Sequence, residues 1–312
     1  VKLHLMSSKT IALVTGAAGC IGRAVCRLLS ASDVTVRHCD RVPAPLESKH
    51  YVKCDLSDAA ALHDACRGCD VVVHLGGVSG PGSVFNPPIA PGIVASTNIL
   101  GTLNVLEAAR AQHVQRVVFA SSLGVYWPAD RTQAMPGPVV TEDAPVDSVE
   151  TYTASKIAGE QLCRAYSAEG LLDAVSLRIG WVYGPGRTTG CAIRDVLTGK
   201  PSKLLPDHLR DYVFVEDVGW AIVKSVLRPR SFGGIVMNVS GGHMISHGEV
   251  ELVAEQLTGR AVEKQRPPLG TYSEPLMPPL DISKSKFELD WEPQVSLATG
   301  LHFYAKHLGV ML

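Results

Sequence analysis

The sequence predicts an α/β fold, in which a doubly wound parallel sheet is joined to a smaller, interleaved C-terminal substrate domain. Three observations predict it. A glycine-rich turn joins a buried strand to a helix near the N terminus, strands and helices alternate to about residue 180, and the second strand ends in an acidic residue. Alternation favours parallel pairing because each crossover helix returns the chain to the same edge of the sheet.

The first strand and its turn predict a nucleotide site. Residues 11–14 form a short apolar run rich in β-branched side chains, typical of a buried strand. Gly16, Gly19 and Gly22 follow, and a helical pattern begins at Ile21. Such a unit directs the amides at the helix start towards one point, where a pyrophosphate binds, and glycine permits the tight turn. We therefore predict a dinucleotide-binding domain of the Rossmann type.

Asp40 ends the strand predicted over residues 35–40, about twenty positions after the turn, where a ribose-binding carboxylate is expected. The alternative is an ordinary turn residue at the end of a strand. A carboxylate here would repel the 2′-phosphate of NADP and so favours NAD, although the neighbouring Arg41 weakens that preference.

Composition excludes several classes of function. The 312 residues are 46% hydrophobic and 19% charged, with a formal net charge of −1, as in a globular protein of one large or two modest domains. That charge indicates neither nucleic-acid nor membrane binding, and no apolar run approaches the roughly eighteen residues of a membrane span. The first eight residues are too short and polar for a signal peptide, so we expect a cytoplasmic protein.

The eight cysteines show no pairing pattern. Cys66 and Cys69 have the spacing of half a zinc site, but no second pair or histidine stands at the matching distance, so no metal is predicted. Four others fall in predicted helices or strands and are interpreted as small buried hydrophobes: Cys20, Cys26, Cys39 and Cys54. This usage favours a reducing compartment.

Apolar periodicity predicts the remaining elements. Further strands are expected over residues 51–54, 71–75, 116–120, 174–178, 211–215 and 235–239. Further helices are expected over residues 59–66, 94–111, 153–168, 192–197, 218–227 and 247–257, and from 297. We assign residues 1–180 with about 211–239 to the dinucleotide-binding domain, and 181–210 with 240–312 to the substrate-binding domain.

A tyrosine–lysine pair predicts the chemistry. Tyr152 and Lys156 stand four residues apart on a predicted helix and so share a face. A lysine ammonium near a phenol, together with a positively charged nicotinamide, lowers the phenol pKa from about 10 towards neutrality. The phenolate then takes the proton of a substrate hydroxyl while hydride leaves the carbon. Ser122, just past the strand predicted over residues 116–120, is placed to hold the substrate oxygen. Such a pair alone is common on helix surfaces; Asp40 and the glycine turn favour catalysis.

Motifs along nearly the whole chain support this interpretation. They are TGAAGCIG from Thr15, CDL from Cys54, HLGG from His74, NILGTLNVLEAAR from Asn98, FASSLGVYW from Phe119, YTASK from Tyr152, LRIGWVYGPG from Leu177, RDYVFVEDV from Arg210 and DISKSKFELDWEP from Asp281. Together they resemble the extended short-chain dehydrogenase/reductases, specifically the NAD-dependent epimerase/dehydratase family.

The resemblance implies roles for individual residues. Ser122, Tyr152 and Lys156 would be catalytic, and Lys156 would also bind the nicotinamide ribose. Asp55 and Leu56 would flank the adenine. The expected NAD-binding residues are Gly16, Gly19, Cys20, Ile21, Gly22, Asp40, Arg41, Asp55, Leu56, Leu75, Gly76, Gly77, Asn98, Ala120, Tyr152 and Lys156. Members often dimerise through the tyrosine-bearing helix and the long helix before it, so a homodimer is expected.

Departures from the family patterns bear on the substrate. Leu123 and Gly124 stand where sugar-nucleotide dehydratases carry an acidic pair, so dehydration is not expected. Trp181 replaces an asparagine by which UDP-sugar 4-epimerases help hold the diphosphate, and Thr271 stands where they tend to carry a diphosphate-binding arginine. The loss of cationic partners weakens diphosphate binding, which favours a substrate without a nucleotide.

Other residues point to a sugar acid. The stretch HLGGVS, which ends at Ser79, resembles uronate dehydrogenases, in which this serine touches the sugar acid. Arg187, Thr188, Thr189 and Arg194 offer groups for a carboxylate or hydroxyl. Arg210 matches a phosphate-binding arginine of the family or, equally, forms a salt bridge with Asp211 or Glu216. The expected substrate-binding residues are Ser79, Ser122, Trp181, Arg187 and Arg210.

The function expected from the sequence is therefore an NAD-dependent oxidoreductase that takes hydride from a hydroxyl-bearing carbon of a sugar or sugar acid. One alternative is an NAD-retaining nucleotide-sugar 4-epimerase similar to UDP-glucose 4-epimerase, which returns the hydride to the other face and accumulates no NADH. An alternative of another class is a non-catalytic NAD-binding sensor, which the presence of Ser122, Tyr152 and Lys156 disfavours.

Overall fold

A central parallel sheet organises the computed structural model, which describes residues 9–42, 50–78, 89–127, 135–148, 150–201, 204–262 and 277–312. In spatial order its strands are β10 (Val236–Val239), β6 (Asp173–Ile179), β5 (Arg116–Ser122), β4 (Val71–His74), β1 (Ile11–Thr15), β2 (Thr35–Asp40) and β3 (Tyr51–Lys53). The strand order reverses between β1 and β4, which leaves a crevice outside their carboxyl ends.

Helices cover both faces of this sheet and form much of the C-terminal part. They are α1 (Cys20–Ala31), α2 (Ala59–Cys66), α3 (Pro91–Ala95), α4 (Gly101–Ala111), α5 (Thr151–Ala168), α6 (Ala192–Leu197), α7 (Val215–Leu227), α8 (His247–Thr258), α9 (Ser283–Leu289) and α10 (Leu297–Leu308). Two small sheets complete the fold. Strands β7 (Trp181–Tyr183) and β9 (Tyr212–Phe214) pair in parallel, and β8 (Leu209–Arg210) and β11 (Ile245–Ser246) pair antiparallel.

The apolar first strand explains the two-sided packing. Ala12 and Val14 belong to the core that α1 and α7 cover, whereas Leu13 belongs to the core under α2 and α4. Successive side chains of a strand point to opposite faces, so a strand covered on both faces reads as an uninterrupted apolar run. The doubly wound fold predicted from the sequence is therefore confirmed.

The glycine turn fits tightly against the neighbouring strand end. Gly16 has a φ of +70°, and a Cβ there would lie 2.7 Å from the amide nitrogen of Gly76. A Cβ on Gly22 would lie 2.1 Å from the carbonyl oxygen of Gly16. Only glycine lets the turn, the start of α1 and the chain after β4 approach this closely. The packed glycines Gly16 and Gly76 form part of the wall of the crevice.

Several element boundaries differ from the sequence prediction. The helix predicted over residues 94–111 begins at Pro91, because proline fits the first helical position, and it contains a π-helical segment at Ser96–Leu100. The strand predicted over residues 116–120 extends to Ser122. The strand predicted over residues 211–215 is shorter: α7 already begins at Val215, with acidic residues in its first turn.

Other segments escaped prediction or fall in a different sheet. Strand β7 and helix α9 were not predicted, since each is too short to show a clear apolar period. Strand β9, assigned to the first domain, pairs with β7 and not with the central sheet, whereas β10 joins the central sheet. The domain boundaries drawn from the sequence stay a prediction.

Two buried carboxylates attach the C-terminal segment. The oxygens of Asp217 accept the backbone N–H groups of Gln294 at 3.0 Å and Val295 at 3.1 Å, and the Trp291 indole donates to the Asp217 carbonyl at 2.9 Å. Asp211 accepts backbone N–H groups in the same way, and burial raises its pKa to about 6. Within the described ranges, no helix is long and apolar enough to cross a membrane.

The close packing of the glycine turn leads to a test. We expect Gly22→Ala to lower the free energy of unfolding by more than about 2 kcal/mol, because the new Cβ overlaps the Gly16 carbonyl. Gly92→Ala is the matched control: among the described residues, no atom outside its own helix lies within 4 Å of its Cβ position, so we expect a gain of about 0.4–1 kcal/mol. Denaturant titration measures both. Equal stabilities for the two variants would contradict the packing argument.

Candidate functional site

The main candidate site is a cavity at the carboxyl ends of β1, β2 and β4. Nine of the predicted cofactor-binding residues line it together: Gly16, Gly19, Asp40, Arg41, Asp55, Leu56, Leu75, Gly76 and Gly77. Five further residues complete the lining: Thr15, Cys39, Cys54, Val78 and Thr97. The cavity therefore lies at the point where the strand order reverses, the usual ligand position in such sheets.

Asp40 holds the glycine turn from the end of β2. Its Oδ2 accepts the N–H of Ala18 at 2.9 Å, and its Oδ1 accepts the N–H of Val42 at 3.2 Å. Each carboxylate oxygen has a second lone pair, so these bonds leave Asp40 able to accept from a ribose hydroxyl. The neighbouring Arg41 is exposed. Ribose binding by Asp40 stays a prediction.

Asp55 faces the same cavity from the loop after β3. Its Oδ1 accepts hydrogen bonds from the backbone N–H of Ser57 at 2.9 Å and from its hydroxyl at 2.8 Å. These bonds, and to a smaller extent the charge of Arg41, lower the pKa of Asp55. The carboxylate is therefore ionised at neutral pH, and its orientation is fixed by the turn.

The buried His74, at the end of β4, is hydrogen-bonded to Thr15 at the end of β1, beside the cavity. The Thr102 hydroxyl donates to the Asn98 carbonyl at 2.5 Å, so it accepts from Nε2–H of His74 at 3.0 Å. Nδ1 of His74 then accepts from the Thr15 hydroxyl at 2.8 Å, and Thr15 accepts the N–H of Gly76 at 3.2 Å. Burial lowers the pKa of His74 to about 3, which keeps the ring neutral. From the Gly76 amide to the Asn98 carbonyl, each group in this series of hydrogen bonds donates to the next one.

Asn98 has a different environment from the other predicted cofactor residues. It lies in the π-helical segment and is buried. Its side-chain amide exchanges two hydrogen bonds of 2.9 Å with the backbone of Val78 and donates to the Ser155 hydroxyl at 3.0 Å. These contacts tie the loop after β4 to α5. The structure thus gives Asn98 a positioning contact, and direct cofactor binding by this residue stays a prediction.

The three predicted catalytic residues come together beside this cavity. Ser122 ends β5, and its hydroxyl forms a hydrogen bond with the phenol of Tyr152 that lowers the phenol pKa. Lys156 is 7% exposed, and its Nζ donates to the carbonyl of Ala120 at 2.7 Å. The same Nζ lies 5.8 Å from the centre of the Tyr152 ring. Ala120, another predicted cofactor-binding residue, thus anchors the lysine.

Burial has the largest effect on the pKa values of Tyr152 and Lys156. Burial raises the pKa of Tyr152 above its usual value, opposed by the Ser122 hydrogen bond and the charge of Arg187. Burial also lowers the pKa of Lys156 to about 8, opposed by the Glu160 carboxylate. The phenol pKa is therefore raised in the protein without cofactor, and its lowering by Lys156 together with a nicotinamide stays a prediction. For Tyr152, desolvation outweighs both opposing effects.

A buried ion pair fixes α5, the helix that carries Tyr152 and Lys156. Glu160, one turn after Lys156, accepts two hydrogen bonds from the Arg178 guanidinium, at 2.9 and 2.7 Å. Ser121 donates to the same carboxylate at 2.5 Å. The network joins α5 to β5 and β6, and the sequence did not predict it. Glu160 lies four residues after Lys156, which is a helical spacing. No pattern in the sequence reveals that its partner, Arg178, lies on a strand.

The residues that follow Gly19, at the start of α1, pack against other parts of the protein. Cys20 begins α1, and its thiol donates to the Pro185 carbonyl at 3.5 Å. Ile21 is partly buried against the apolar cores on either side of α1. Gly22 packs on the Gly16 carbonyl. Binding of a phosphate by the amide groups of this turn stays a prediction.

The predicted substrate residues form two groups. The Arg210 guanidinium lies 4.0 Å from the centre of the Trp181 ring, and Arg210 is buried. Of the predicted acidic partners of Arg210, Glu216 pairs with Arg27 at 2.5 Å. Arg187 belongs to the second group, near Tyr152, where its charge acts on the phenol. Ser79 and Thr271 lie outside the described residues.

The role of Glu160 can be tested directly. Glu160→Gln removes the carboxylate that raises the pKa of Lys156 but leaves the Arg178 charge, so we expect this pKa to fall from about 8 by about one unit or more. Carbon-13 NMR of ε-labelled lysine measures it, with the signal assigned through Lys156→Met. Ser121→Ala and Glu169→Gln, at the far end of α5, are controls that should leave the pKa unchanged. An unaltered titration in Glu160→Gln would contradict the argument.

Comparisons with known proteins agree with this geometry. Over 312 aligned residues the chain is 33% identical to UDP-glucose 4-epimerase of Mycolicibacterium smegmatis, covering 93% of this chain and 95% of that protein. It is 35% identical over 174 residues to uronate dehydrogenase of Pseudomonas putida, covering 54% of this chain and 59% of that protein. The structure of MoeE5 in complex with UDP-glucuronic acid and NAD superposes with a TM-score of 0.81 at 29% identity, covering 96% and 98% of the two chains.

The family assignment follows from the sequence match and from the fold together. Residues 12–240 match the NAD dependent epimerase/dehydratase family, a span that includes the glycine turn, Asp40, Ser122, Tyr152 and Lys156. The resemblance predicted from the motifs is thus confirmed. The chain belongs to the NAD-dependent epimerase/dehydratase family.

Proposed function

We propose that this protein is an NAD-dependent oxidoreductase that removes hydride from a hydroxyl-bearing carbon of a sugar acid. The observation that carries the choice of substrate is Arg187. Its Nε is buried without a hydrogen-bond partner, and among the described residues no carboxylate pairs with its guanidinium. Arg187 is partly buried, and its guanidinium otherwise donates to the Gly190 carbonyl at 3.4 Å. A buried N–H group without an acceptor is costly, so a substrate carboxylate would complete this site.

The position of Arg187 connects binding to chemistry. Its charge already acts on the Tyr152 phenol, so the two side chains face one region. The nearby Arg194 likewise has a buried Nε without a partner within the described ranges. Two such guanidinium groups favour an anionic ligand over a neutral sugar. Ser79, the other residue that favours a sugar acid, remains a prediction from the sequence.

The catalytic step follows from the Ser122, Tyr152 and Lys156 arrangement. Ser122 would hold the substrate hydroxyl, and Tyr152 would take its proton as the hydride leaves the carbon. NAD supplies the hydride acceptor and a positive ring that favours the phenolate. Lys156, fixed by the Ala120 carbonyl and by the charge of Glu160, would hold the ribose and remain protonated below about pH 8. The residues lining the cavity at β1, β2 and β4 would bind the adenosine half.

The second candidate is an NAD-retaining nucleotide-sugar 4-epimerase. It is favoured by the extent of the similarity, because UDP-glucose 4-epimerase of M. smegmatis aligns over 93% of this chain and uronate dehydrogenase over 54%. The buried Arg210 would then serve the diphosphate. Trp181, stacked on Arg210 where such epimerases carry asparagine, speaks against it. Both candidates share the first hydride transfer, and the fate of the hydride distinguishes them.

We also propose a cytoplasmic homodimer. All eight cysteines are free thiols, in keeping with a reducing compartment. Leu100, just before α4, is 57% exposed and Ile93 is 52% exposed, and on α5 Ala154 is exposed. Such apolar positions on two neighbouring helices suit a helical interface. We expect sedimentation equilibrium to give twice the chain mass of 33.2 kDa, and the monomer mass would contradict the proposal.

The experiment for the function is NADH absorbance on mixing the protein with NAD and uronic acids, neutral aldoses or UDP-hexoses. We expect NADH with a uronic acid. Tyr152→Phe should lower kcat by about 10²–10⁴, because the proton acceptor is lost, whereas Tyr166→Phe, near the C-terminal end of α5, should not. Arg187→Met should raise KM for the acid at least about tenfold and leave neutral sugars unaffected, with the exposed Arg67→Met as control.

The outcomes separate the candidates. A flat absorbance trace with interconversion of UDP-hexoses seen by NMR would establish the epimerase and overturn the dehydrogenase proposal. Full turnover by Tyr152→Phe would overturn both enzymatic candidates. An equal loss of acidic and neutral substrates in Arg187→Met would remove the argument for a sugar acid.

A further inference from the structure

Four of the eight cysteines lie together on the adenosine side of the cavity. Cys39, Cys54, Cys66 and Cys69 are free thiols and belong, together with Cys163, to one buried apolar cluster. Two of them, Cys39 and Cys54, also line the cavity itself. Each directly precedes an acidic residue of the cavity wall, and the proposed reaction uses neither thiol.

Neighbouring strand ends bring Cys39 and Cys54 together. In the parallel pairing of β2 and β3, Cys39 lies opposite Val52, and Cys54 follows two residues later on the same face. The two thiols are hydrogen-bonded to each other, and the Cys54 thiol also donates to the Asp55 carbonyl at 3.2 Å. A disulfide requires the two Cβ atoms to lie about 3.5–4.5 Å apart, so its formation would move the segment after β3 towards β2.

The edge position of β3 permits that movement. It is a three-residue strand at the end of the central sheet, and among the described strands it pairs with β2 alone. The backbone N–H of Cys54 donates to the Asp40 carbonyl at 3.0 Å, so the segment after β3 is already held beside β2. A short edge strand with one neighbour yields more easily than a central one.

The two thiols differ in reactivity. The hydrogen bond from Cys39 lowers the pKa of Cys54, and this outweighs its burial. The pKa values of the other seven cysteines are all raised, that of Cys39 chiefly by the same hydrogen bond and the remaining six by burial. Since the thiolate is the nucleophile in thiol oxidation, Cys54 is the reactive member and Cys39 the resolving one.

We propose that Cys39 and Cys54 are a hydroperoxide-sensitive dithiol whose disulfide weakens dinucleotide binding in the adjoining cavity. The Cys54 thiolate attacks a peroxide oxygen, the O–O bond breaks, and a sulfenic acid forms while the leaving oxygen is protonated. The Cys39 sulfur then attacks the sulfenic sulfur, and the hydroxyl leaves as water with the Cys39 proton. The two thiols lose two electrons and two protons, and the peroxide is reduced to two waters.

The expected effect on the cofactor follows from the position of the pair. A disulfide would draw Cys54 towards β2, and Asp55 and Leu56 of the cavity wall would move with it. A bound dinucleotide would cover the cavity that both sulfurs line, so cofactor and oxidant should exclude each other. The inference rests on dinucleotide binding in this cavity and is independent of the substrate.

The test uses the full chain, reduced and freed of cofactor, then exposed to hydrogen peroxide. Peptide mass spectrometry should find the Cys39–Cys54 disulfide as the main product, and saturating NAD should slow its formation. Calorimetry should show NAD affinity at least about tenfold weaker after oxidation and restored by dithiothreitol. In Cys39→Ser, dimedone should trap Cys54 as its sulfenic acid. Cys66→Ser, a thiol of the same cluster outside the cavity, should behave as the unsubstituted protein.

The outcomes are distinguishable. A main disulfide between any other cysteines, or oxidation of Cys54 no faster than that of Cys26, would overturn the inference. So would a Cys39–Cys54 disulfide that leaves NAD affinity unchanged. If the reduced protein fails to bind NAD at all, the proposed function fails as well, whereas normal NAD binding with an inert thiol pair overturns this inference alone.

Discussion

The buried Glu160 carboxylate is the interaction on which the arrangement of the site depends. It joins three elements that are distant in sequence, because Arg178 on β6 and Ser121 on β5 both donate to it from outside α5. Removing one partner of such a pair leaves an uncompensated buried charge, which typically costs about 3–5 kcal/mol. The position of α5, and with it Tyr152 and Lys156, is therefore set by electrostatics as much as by apolar packing.

The same carboxylate links the position of the lysine to its charge. Lys156 is desolvated by burial, and the charge of Glu160 and the hydrogen bond to the Ala120 carbonyl offset part of that penalty. The protein without cofactor thus keeps its phenol protonated, since burial raises the pKa of Tyr152.

Much of the fold was predictable because the strands of the central sheet carry strong local patterns. The apolar runs of β1 and β4 and the glycine turn specify strand, turn and helix without reference to the rest of the chain. The proximity of Tyr152 and Lys156 was also predictable, because they lie four positions apart on one helix. Glu160 and Arg178 were not, because their contact joins a helix to a strand. Likewise, the raised pKa of Tyr152 depends on burial, which a one-dimensional pattern does not contain.

The one-way chain of hydrogen bonds through His74 has an evolutionary consequence. Each hydroxyl in it accepts one bond and donates the next, so the amino acids at positions 15, 74 and 102 constrain one another. Serine in place of Thr102 keeps the polarity, whereas valine leaves a buried imidazole N–H without an acceptor, typically at about 1–3 kcal/mol. Sequence change at these sites is therefore expected to be concerted, and substitutions tolerated in one relative need not transfer singly to another.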